Sequence, residues 1–280
     1  MNNETELKEL VKAKYSEIAS QDRDVNAASC CGATACCSGD EVYNIMADDY
    51  TKLEGYNKDA DLGLGCGLPT QYALIEEGDT VVDLGSGAGN DAFVARRLTG
   101  EKGKVIGVDF SEPMLTKARA NTEKMGYNNV EFRQGDIEQL PIGGNTADVV
   151  LSNCVLNLVP NKKAVFAEIL RVLKTGGHFS ISDIVLVGNL PQKLQKAAEM
   201  YAGCVSGAIQ KEDYLAIIKE TGFTNIKLQK EKEIVIPDEI LLQYLSIEEL
   251  EQMKAQKPGI YSITVYAEKG ACCQPGSGCC

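Results

Sequence analysis

The sequence has few of the features that mark several large functional classes. Its 28 lysine and arginine residues form no cluster and are outnumbered by 40 acidic residues, which gives a net charge of −12. A nucleic-acid partner is therefore not expected, because phosphate binding needs clustered positive charge. No apolar run of about 18 residues, the length of a membrane-spanning helix, is present, and no basic and then apolar leader opens the chain. These absences predict a cytoplasmic protein without a membrane partner.

Histidine is nearly absent as well, since His178 is the only one in 280 residues. This fits chemistry that needs no histidine as a general base, and we interpret His178 as structural. Cysteine, in contrast, is abundant. Of the eleven cysteines, eight form adjacent pairs near the two ends (Cys30-Cys31, Cys36-Cys37, Cys272-Cys273 and Cys279-Cys280) and three are single (Cys66, Cys154 and Cys204).

So many cysteines need an explanation, because a reducing cytoplasm does not sustain a disulfide framework. The adjacent thiols of the terminal pairs suit the capture of a soft trivalent ion. Zinc binding is an alternative, although the gaps between the pairs are longer than the usual C-x₂-C spacing. The terminal pairs could also have no function.

A strand, a glycine-rich turn and the start of a helix follow one another over residues 81–98. The strand ends at Asp83 and Leu84, and the turn contains Gly85, Gly87 and Gly89. Glycine accommodates positive φ and lets a ligand lie against the backbone, near the N–H groups at the helix N-terminus. Structural turns also use glycine, so this signal is weak when it stands alone.

Two further predicted strands lead to acidic residues. The strand 104–109 ends at Asp109, and the strand 130–133 is followed by Asp136. Ligands of open α/β sheets bind at the carboxyl ends of the strands, where Asp83 would join these acids, and an acid at Asp109 suits ribose hydroxyls. Three carboxylates would repel a pyrophosphate, so we predict a cationic cofactor without phosphate. Each aspartate by itself could instead be a helix N-cap.

The segments D-L-G-S-G-A-G, G-V-D-F-S and Q-G-D-I resemble the class I S-adenosylmethionine-dependent methyltransferases, across roughly residues 75–185. The resemblance implies an α/β fold with a doubly wound, mostly parallel sheet of the seven-stranded type. It also implies that S-adenosyl-L-methionine is the cofactor, with Asp83 at its methionine end, Asp109 at its ribose and Asp136 at its adenine. The residues implied in cofactor binding are Asp83, Gly85, Gly87, Gly89, Asp109, Phe110, Met114, Asp136, Ile137 and Asn153.

Cys154 lies just after a fourth predicted strand, 147–152, at the same sheet edge as the three acids. Its thiol is therefore expected close to the transferable methyl group, unless Cys154 acts only as a small buried hydrophobe. The segment S-N-C-V-L-N-L-V-P around it resembles a motif of the arsenite methyltransferases, as do G-C-G at Cys66 and C-V-S-G-A at Cys204. Leu64 departs from the pattern, since some members of that family carry tyrosine there.

The resemblance to arsenite methyltransferases implies that Cys154 and Cys204 hold trivalent arsenic. Cys66 would join them, or exchange disulfides with an N-terminal cysteine, for which Cys36 and Cys37 both stay open. Trivalent arsenic is thiophilic, like the soft metals that prefer thiolates, and its lone pair would be the nucleophile. The implied partners are arsenite, methylated trivalent arsenicals and a thiol reductant such as glutathione or thioredoxin.

Two other functions remain open at this point. One is a methyltransferase of an organic small molecule with structural cysteines, which Cys66, Cys154 and Cys204 together disfavour. The other is a scavenger that binds arsenic or a metal through thiols without catalysis. The acids at the strand ends disfavour it, because a scavenger has no use for a cofactor site.

Four parts are predicted along the chain. Residues 1–60 form an N-terminal amphipathic helix over 5–18, expected to cover the site, and a cysteine-rich arm. Residues 61–190 form the S-adenosylmethionine-binding core, with further elements at 162–173 (helix) and 178–184 (strand). Residues 191–270 form a smaller C-terminal α+β portion that binds arsenic, with helices at 192–200, 211–221, 238–244 and 247–255 and strands at 224–236 and 260–268. Residues 271–280 are a cysteine-rich tail.

Overall fold

The computed structural model describes residues 2–19, 48–189, 205, 207–235, 238–242, 245–256 and 258–270. Cys204, the predicted helix 192–200 and the cysteine pairs of both ends lie outside these ranges. Within them, no helix is both long enough and apolar enough to cross a membrane.

A seven-stranded sheet organises the described residues, with the strand order β3-β2-β1-β4-β5-β7-β6. The strands are β1 (Thr80–Leu84), β2 (Lys104–Asp109), β3 (Val130–Gln134), β4 (Ala147–Asn153), β5 (Leu173–Val187), β6 (Thr224–Ile234) and β7 (Gly259–Glu268). Strands β1 to β5 pair in parallel, and β7 runs antiparallel between β5 and β6. The strand order reverses between β1 and β4, which is where ligands of doubly wound sheets bind. The predicted doubly wound, mostly parallel sheet is confirmed.

Helices cover both faces of the sheet. They are α1 (Asn2–Ala19), α2 (Asn90–Thr99), α3 (Glu112–Met125), α4 (Lys162–Val172), α5 (Lys211–Thr221), α6 (Asp238–Leu241) and α7 (Ile247–Gln256). One buried cluster packs α1, α2 and α3 against the sheet, and another packs α4 and α5 against it. The parallel strands therefore carry nearly continuous apolar runs, as strands buried on both faces do.

Strand β5 is longer than its predicted range of 178–184. It begins at Leu173, directly after α4, and continues to Val187. Its register to β4 shifts between the pairs Ala147–Leu173 and Val149–His178, so the residues between them form an irregularity that contains Gly176 at φ 80°. The two glycines at 176 and 177 look like the end of a loop in the sequence, whereas in the fold they lie inside a bulged strand.

His178 lies on β5 and has structural contacts. Its Nε2 is 2.5 Å from the carbonyl oxygen of Ala73, and its ring packs on the ring of Tyr266 with 4.9 Å between centroids. His178 does not line the cleft at the carboxyl edge of the sheet. This agrees with the structural interpretation of the single histidine.

Candidate functional site

A cleft of two adjoining pockets runs along the carboxyl ends of β1, β2 and β4. The pockets enclose about 790 and 780 Å³, including their open mouths, and share Gly85, Asp109 and Phe110 on their walls. Helix α1 lines both, through Tyr15 in one and Lys8 in the other. The prediction that the N-terminal helix covers the site is therefore confirmed. We call the pocket at Asp83 the inner pocket and the pocket at Asp136 the outer pocket.

The glycine turn shapes the inner pocket. Gly85 and Gly87 have φ values of 63° and 51°, which side-chain-bearing residues rarely adopt. A Cβ at Gly85 would lie 2.5 Å from a methyl carbon of Val155, whereas a Cβ at Gly87 would meet no atom within 4 Å. The backbone at Gly87 therefore faces open space in the cleft. Gly89 does not line the cleft and instead precedes α2 at φ 98°.

Two of the predicted acids are buried side by side. One Asp109 oxygen accepts the N–H of Gly87 at 2.9 Å and the other accepts the N–H of Ser111 at 2.8 Å. Asp83 accepts the N–H of Ala92 at the start of α2, while its Oδ2 is buried without a hydrogen-bond partner among the described residues. Burial raises the pKa of Asp109, and burial followed by the charges of Asp91 and Asp109 raises the pKa of Asp83 well above its usual range.

A third acid of the inner pocket, Asp91, is absent from the sequence-based set. The hydroxyl of Tyr50 lies 2.9 Å from both of its carboxylate oxygens, and Nδ2 of Asn153 donates to it at 3.0 Å. Loss of solvent raises the pKa of Asp91 to about 6, although the hydrogen bonds from Asn153 and Tyr50 act in the opposite direction. Asp91 lines the inner pocket together with Asp83 and Asp109.

The inner pocket fits a cationic ligand. Its walls, as far as the described residues form them, contain no lysine or arginine to balance four acids, which are Asp61, Asp83, Asp91 and Asp109. Three buried oxygens on these walls, Asp83 Oδ2, Ser86 Oγ and Asn90 Oδ1, have no partner among the described residues. Buried polar atoms are normally hydrogen-bonded, so these oxygens are suited to ligand groups. S-adenosylmethionine carries an ammonium group, a sulfonium group and hydroxyls, and the residues present fit it.

The outer pocket contains the predicted adenine residues. Asp136 and the buried Ile137 line it, and Phe110 lies between the two pockets. Nζ of Lys8 on α1 lies 2.6 Å from Oδ2 of Asp136 and also pairs with Glu138. Burial lowers the pKa of Lys8, but the hydrogen bonds to these two carboxylates outweigh it and leave the pKa raised. These ion pairs thus hold helix α1 against the outer pocket.

Met114, also in the predicted set, is buried on the wall of the inner pocket.

Cys154 has an unusual backbone conformation directly after β4. Its φ is 61°, in the left-handed region that residues other than glycine, asparagine and aspartate rarely adopt. Its N–H donates to the carbonyl of Ser182 on β5 at 2.8 Å, and its side chain lines the inner pocket. Strained residues of this kind are frequent at functional sites. Cys154 thus lies at the carboxyl edge of the sheet, and its role as an arsenic ligand stays a prediction.

Cys66 reaches the same region on the loop between Leu64 and Pro69. Its N–H donates to Oδ1 of Asn153 at 3.1 Å, and its carbonyl accepts the hydroxyl of Ser262 at 2.6 Å. Only 1% of Cys66 and 3% of Cys154 is exposed, and both belong to one buried apolar cluster. The structure therefore brings two of the three predicted arsenic ligands together.

Cys204 lies outside the described residues, but its sequence neighbour Val205 is buried in the cluster that contains Cys66 and Cys154. Lys162, at the start of α4, is 7% exposed and donates from Nζ to the carbonyl of Gly207 at 2.8 Å. A Cβ at Gly207 would lie only 1.9 Å from the carbonyl oxygen of Asn157. The backbone that follows Cys204 is thus held tightly against the segment that follows Cys154.

A buried acid supports this region from β5. Burial raises the pKa of Asp183 to about 7, although the nearby Lys162 lowers it in part. The Tyr214 hydroxyl on α5 lies 3.3 Å from Oδ2 of Asp183. Burial and then the Asp183 charge raise the pKa of Tyr214, and the cysteines at 66 and 154 add to this rise. Tyr214 therefore lies within electrostatic range of both cysteines.

Comparison with known proteins places this arrangement in a family. Residues 75–222 match a family model described as a methyltransferase domain. The arsenite methyltransferase of Halobacterium salinarum is 40% identical over 242 residues, which cover 81% of this chain and 60% of that protein. The arsenite methyltransferase of Aquipseudomonas alcaligenes is 31% identical over 246 residues, which cover 85% of this chain and 68% of that protein. The chain belongs to the arsenite methyltransferase family.

A solved structure agrees with this family. The crystal structure of an arsenic(III) S-adenosylmethionine methyltransferase from Chlamydomonas reinhardtii superposes with a TM-score of 0.61 at 35% identity. The match covers 74% of this chain and 68% of that one. The chain thus spans between 60 and 68% of the length of these three arsenite methyltransferase family members.

Sequence reasoning missed Asp91 and Tyr50. Asp91 stands in the first turn of α2, where an acid is commonly favoured by the helix N-terminus, so it carried no special signal. Tyr50 lies in a segment without helical or strand periodicity. The available signal was the adjacency of Asn90 and Asp91 to the glycine turn, since side chains at that point face the same cleft as the turn.

Proposed function

We propose that this protein transfers methyl groups from S-adenosylmethionine to trivalent arsenic bound by Cys66, Cys154 and Cys204. The observation that carries the proposal is the placement of Cys154. Its left-handed backbone follows β4 at the switch point of the sheet, and its side chain lines the same pocket as Asp83, Asp91 and Asp109. Because the Cys154 thiol lines a pocket that fits a cation, a binding site for a soft substrate adjoins the cofactor site.

The residues of the chain have distinct roles in this proposal. Asp83 and Asp91 hold the cationic methionine end of the cofactor, Asp109 holds its ribose, and Asp136 and the Ile137 backbone hold its adenine. S-adenosylmethionine supplies an electrophilic methyl group on its sulfonium. The cysteine thiolates exclude hard ligands from arsenic, since soft ions prefer sulfur.

Ligation by thiolates also removes the need for a general base. Arsenic(III) retains its lone pair when sulfur replaces its hydroxyls, so no side chain has to remove a proton to create the nucleophile. What the protein contributes instead is position, because a nucleophile held close to an electrophile and aligned with it gains a large rate advantage. The buried apolar cluster around Cys66 and Cys154 keeps water away from that contact.

Two further expectations complete the proposal. Donation of the lone pair to the methyl group leaves arsenic formally pentavalent, so two cysteine thiols return two electrons to it by forming a disulfide. A thiol reductant such as glutathione or thioredoxin then reduces that disulfide, and the enzyme works in the cytoplasm, where such reductants are abundant. Cys36 or Cys37 is the expected disulfide partner of Cys66 during this step. The reductant and the disulfide partner rest on the family resemblance of the sequence.

The experiment compares two substrates in cysteine variants. Each methyl group on arsenic takes the place of one sulfur ligand, so a monomethylated arsenical can keep only two. Cys66→Ser is expected to lose methylation of arsenite and to retain it on a monomethylated trivalent arsenical. Cys154→Ser and Cys204→Ser are expected to lose both, because a serine hydroxyl stays protonated and is a hard donor. Product arsenicals are separated by chromatography and quantified by mass spectrometry.

The affinity of each variant for S-adenosylmethionine, measured by calorimetry, serves as the control for folding. It should stay within about twofold of the wild type, since the cofactor contacts are intact. Normal methylation of both substrates by Cys154→Ser would contradict the proposal.

A further inference from the structure

The loop that carries Cys66 lies on a row of buried hydroxyl groups. These groups belong to Ser180 and Ser182 on β5 and to Ser262 and Thr264 on β7, and each of the four residues is at most 5% exposed. Ser262 and Thr264 are two residues apart on one strand, so they point to the same face. Ser182 pairs with Thr264 in the antiparallel register of β5 and β7. The row therefore crosses two neighbouring strands under the loop.

Two of the four hydroxyls bind the loop backbone. Ser262 Oγ donates to the carbonyl of Cys66 at 2.6 Å, and Ser180 Oγ donates to the carbonyl of Pro69 at 2.8 Å. The other two, of Ser182 and Thr264, bind each other at 2.8 Å. Buried hydroxyls are costly unless they are hydrogen-bonded, so a row of them in the interior of a sheet is informative.

The loop also approaches the sheet very closely. A Cβ at Gly67 would lie 2.5 Å from Oγ of Ser182, so only glycine allows the backbone to come this near. From the opposite side, Asn153 on β4 accepts the N–H of Cys66 at 3.1 Å. The two peptide groups that flank Cys66 are thus held from β4 and from β7.

We propose that Ser262 is a positioning residue that fixes Cys66 opposite Cys154. This rests on the proposed function, in which Cys66 is the third thiolate for arsenite. Cys154 is placed by β4 and by its own backbone hydrogen bond to Ser182, whereas Cys66 lies on a loop. The loop has no regular secondary structure at Cys66 and depends on side-chain contacts for its position. Of the two backbone hydrogen bonds described above, the one from Ser262 is the shorter, at 2.6 Å against 3.1 Å.

The first test uses the alkylation rate of the Cys66 thiol to measure how firmly the loop is held, and it involves no arsenic. The full-length protein, with neither arsenic nor cofactor added, is treated with iodoacetamide, and the modified peptides are quantified by mass spectrometry. Ser262→Ala should raise the alkylation rate of Cys66 about tenfold, the effect of losing roughly 1.4 kcal/mol. The rate at Cys154, measured in the same sample, should remain unchanged.

Two variants serve as controls. Ser262→Thr keeps the hydroxyl and should return the Cys66 rate to within about twofold of the wild type. Thr264→Val removes a buried hydroxyl two residues away on the same face, but one that binds Ser182 and not Cys66. It should leave the Cys66 rate unchanged.

The second test uses kinetics on two substrates. Ser262→Ala should raise KM for arsenite about tenfold while kcat changes little, and kcat/KM for a monomethylated trivalent arsenical should be unchanged. This difference between the two substrates distinguishes a change in the position of the third thiolate from a general loosening of the fold, which would affect both substrates.

The proposal is overturned if Ser262→Ala leaves the Cys66 alkylation rate at the wild-type value, or if Thr264→Val raises it equally. Failure of the wild type to methylate arsenite would refute the proposed function instead. In that case the alkylation rates alone decide for or against the hold of Ser262 on Cys66.

Discussion

Asp91 is one of four aspartates that line the inner pocket, with Asp61, Asp83 and Asp109. Its pKa is raised to about 6 by loss of solvent, and Asp83, whose pKa burial also raises, lies nearby. A cationic cofactor binds the ionised carboxylates in preference to the protonated ones. Binding is therefore coupled to proton release at pH values below the raised pKa values.

This coupling predicts a pH dependence of cofactor affinity. Because Asp91 takes up a proton as the pH falls through about 6, S-adenosylmethionine should bind about tenfold more weakly at pH 5 than at pH 8. Asp91→Asn should weaken binding at pH 8 and flatten the profile, leaving the part that comes from Asp83. Calorimetry over this pH range, in buffers of different ionisation enthalpy, measures affinity and proton release together.

The control for this pH profile is Asp59→Asn, because Asp59 is an exposed acid that pairs with Lys124 on the surface. It should reproduce the wild-type profile. An affinity that is constant from pH 5 to pH 8, or that rises toward low pH, would contradict the assigned role of Asp91.

Residues of the site differed in how well they could be predicted. Asp83 and Asp109 were identifiable because each ends a β-branched run at a sheet edge, and burial on both faces makes that pattern strong. Asn153 was predicted among the cofactor-binding residues, and its amide also binds the backbone of Cys66 and Gly67. That contact joins residues far apart in the chain, and no local pattern encodes it.

At the scale of elements, the closest packing around the thiols involves the backbone at Gly207 and the turn at Asn157. A Cβ at Gly207 would lie 1.9 Å from a backbone oxygen, which cannot move aside as a flexible side chain can. Lys162 at the start of α4 adds a hydrogen bond to the Gly207 carbonyl. Gly207 comes three positions after Cys204 in the sequence.

Gly207→Ala is therefore expected to displace this segment. It should destabilise the protein by about 1–3 kcal/mol, as overpacking does, and raise KM for arsenite about tenfold while the affinity for S-adenosylmethionine stays constant. Chemical denaturation and steady-state kinetics provide the measurements. Gly143→Ala is the matched control, since its Cβ would meet only the hydroxyl of Thr146 at 3.4 Å. An unchanged KM in Gly207→Ala, with the same loss of stability, would separate this segment from arsenic binding.

Elements with a strong period or a clear end were predicted well, and the bulged strand β5 was not. Helix α5 was predicted with its exact bounds, because Gly222 adopts φ 107° and ends it as a left-handed cap. Strand β5 was predicted too short, because its register shift depends on pairing with β4 and leaves no local signal. The predicted helix 192–200 lies outside the described residues and stays a prediction.

At the scale of the whole molecule, the position of β7 has the largest consequence for the site. This last strand inserts antiparallel between β5 and β6, and so brings Ser262 beneath Cys66, 196 positions earlier in the chain. The alternating pattern of 260–268 predicted a strand, but strand order is a long-range property that such a pattern does not contain. The C-terminal strands thus extend the cofactor-binding sheet and also support the thiol loop.

In the proposed function, a methyl group passes from the bound cofactor to arsenic that the cysteines hold. The most direct measurement is a single-turnover reaction of the full chain with S-adenosylmethionine labelled in its methyl group, arsenite and glutathione. We expect label in monomethylated arsenic, with one methyl group transferred for each cofactor molecule consumed. With Cys154→Ser, we expect no labelled arsenic. Wild-type protein that binds the cofactor but leaves arsenic unlabelled, or equal transfer by Cys154→Ser, would contradict it.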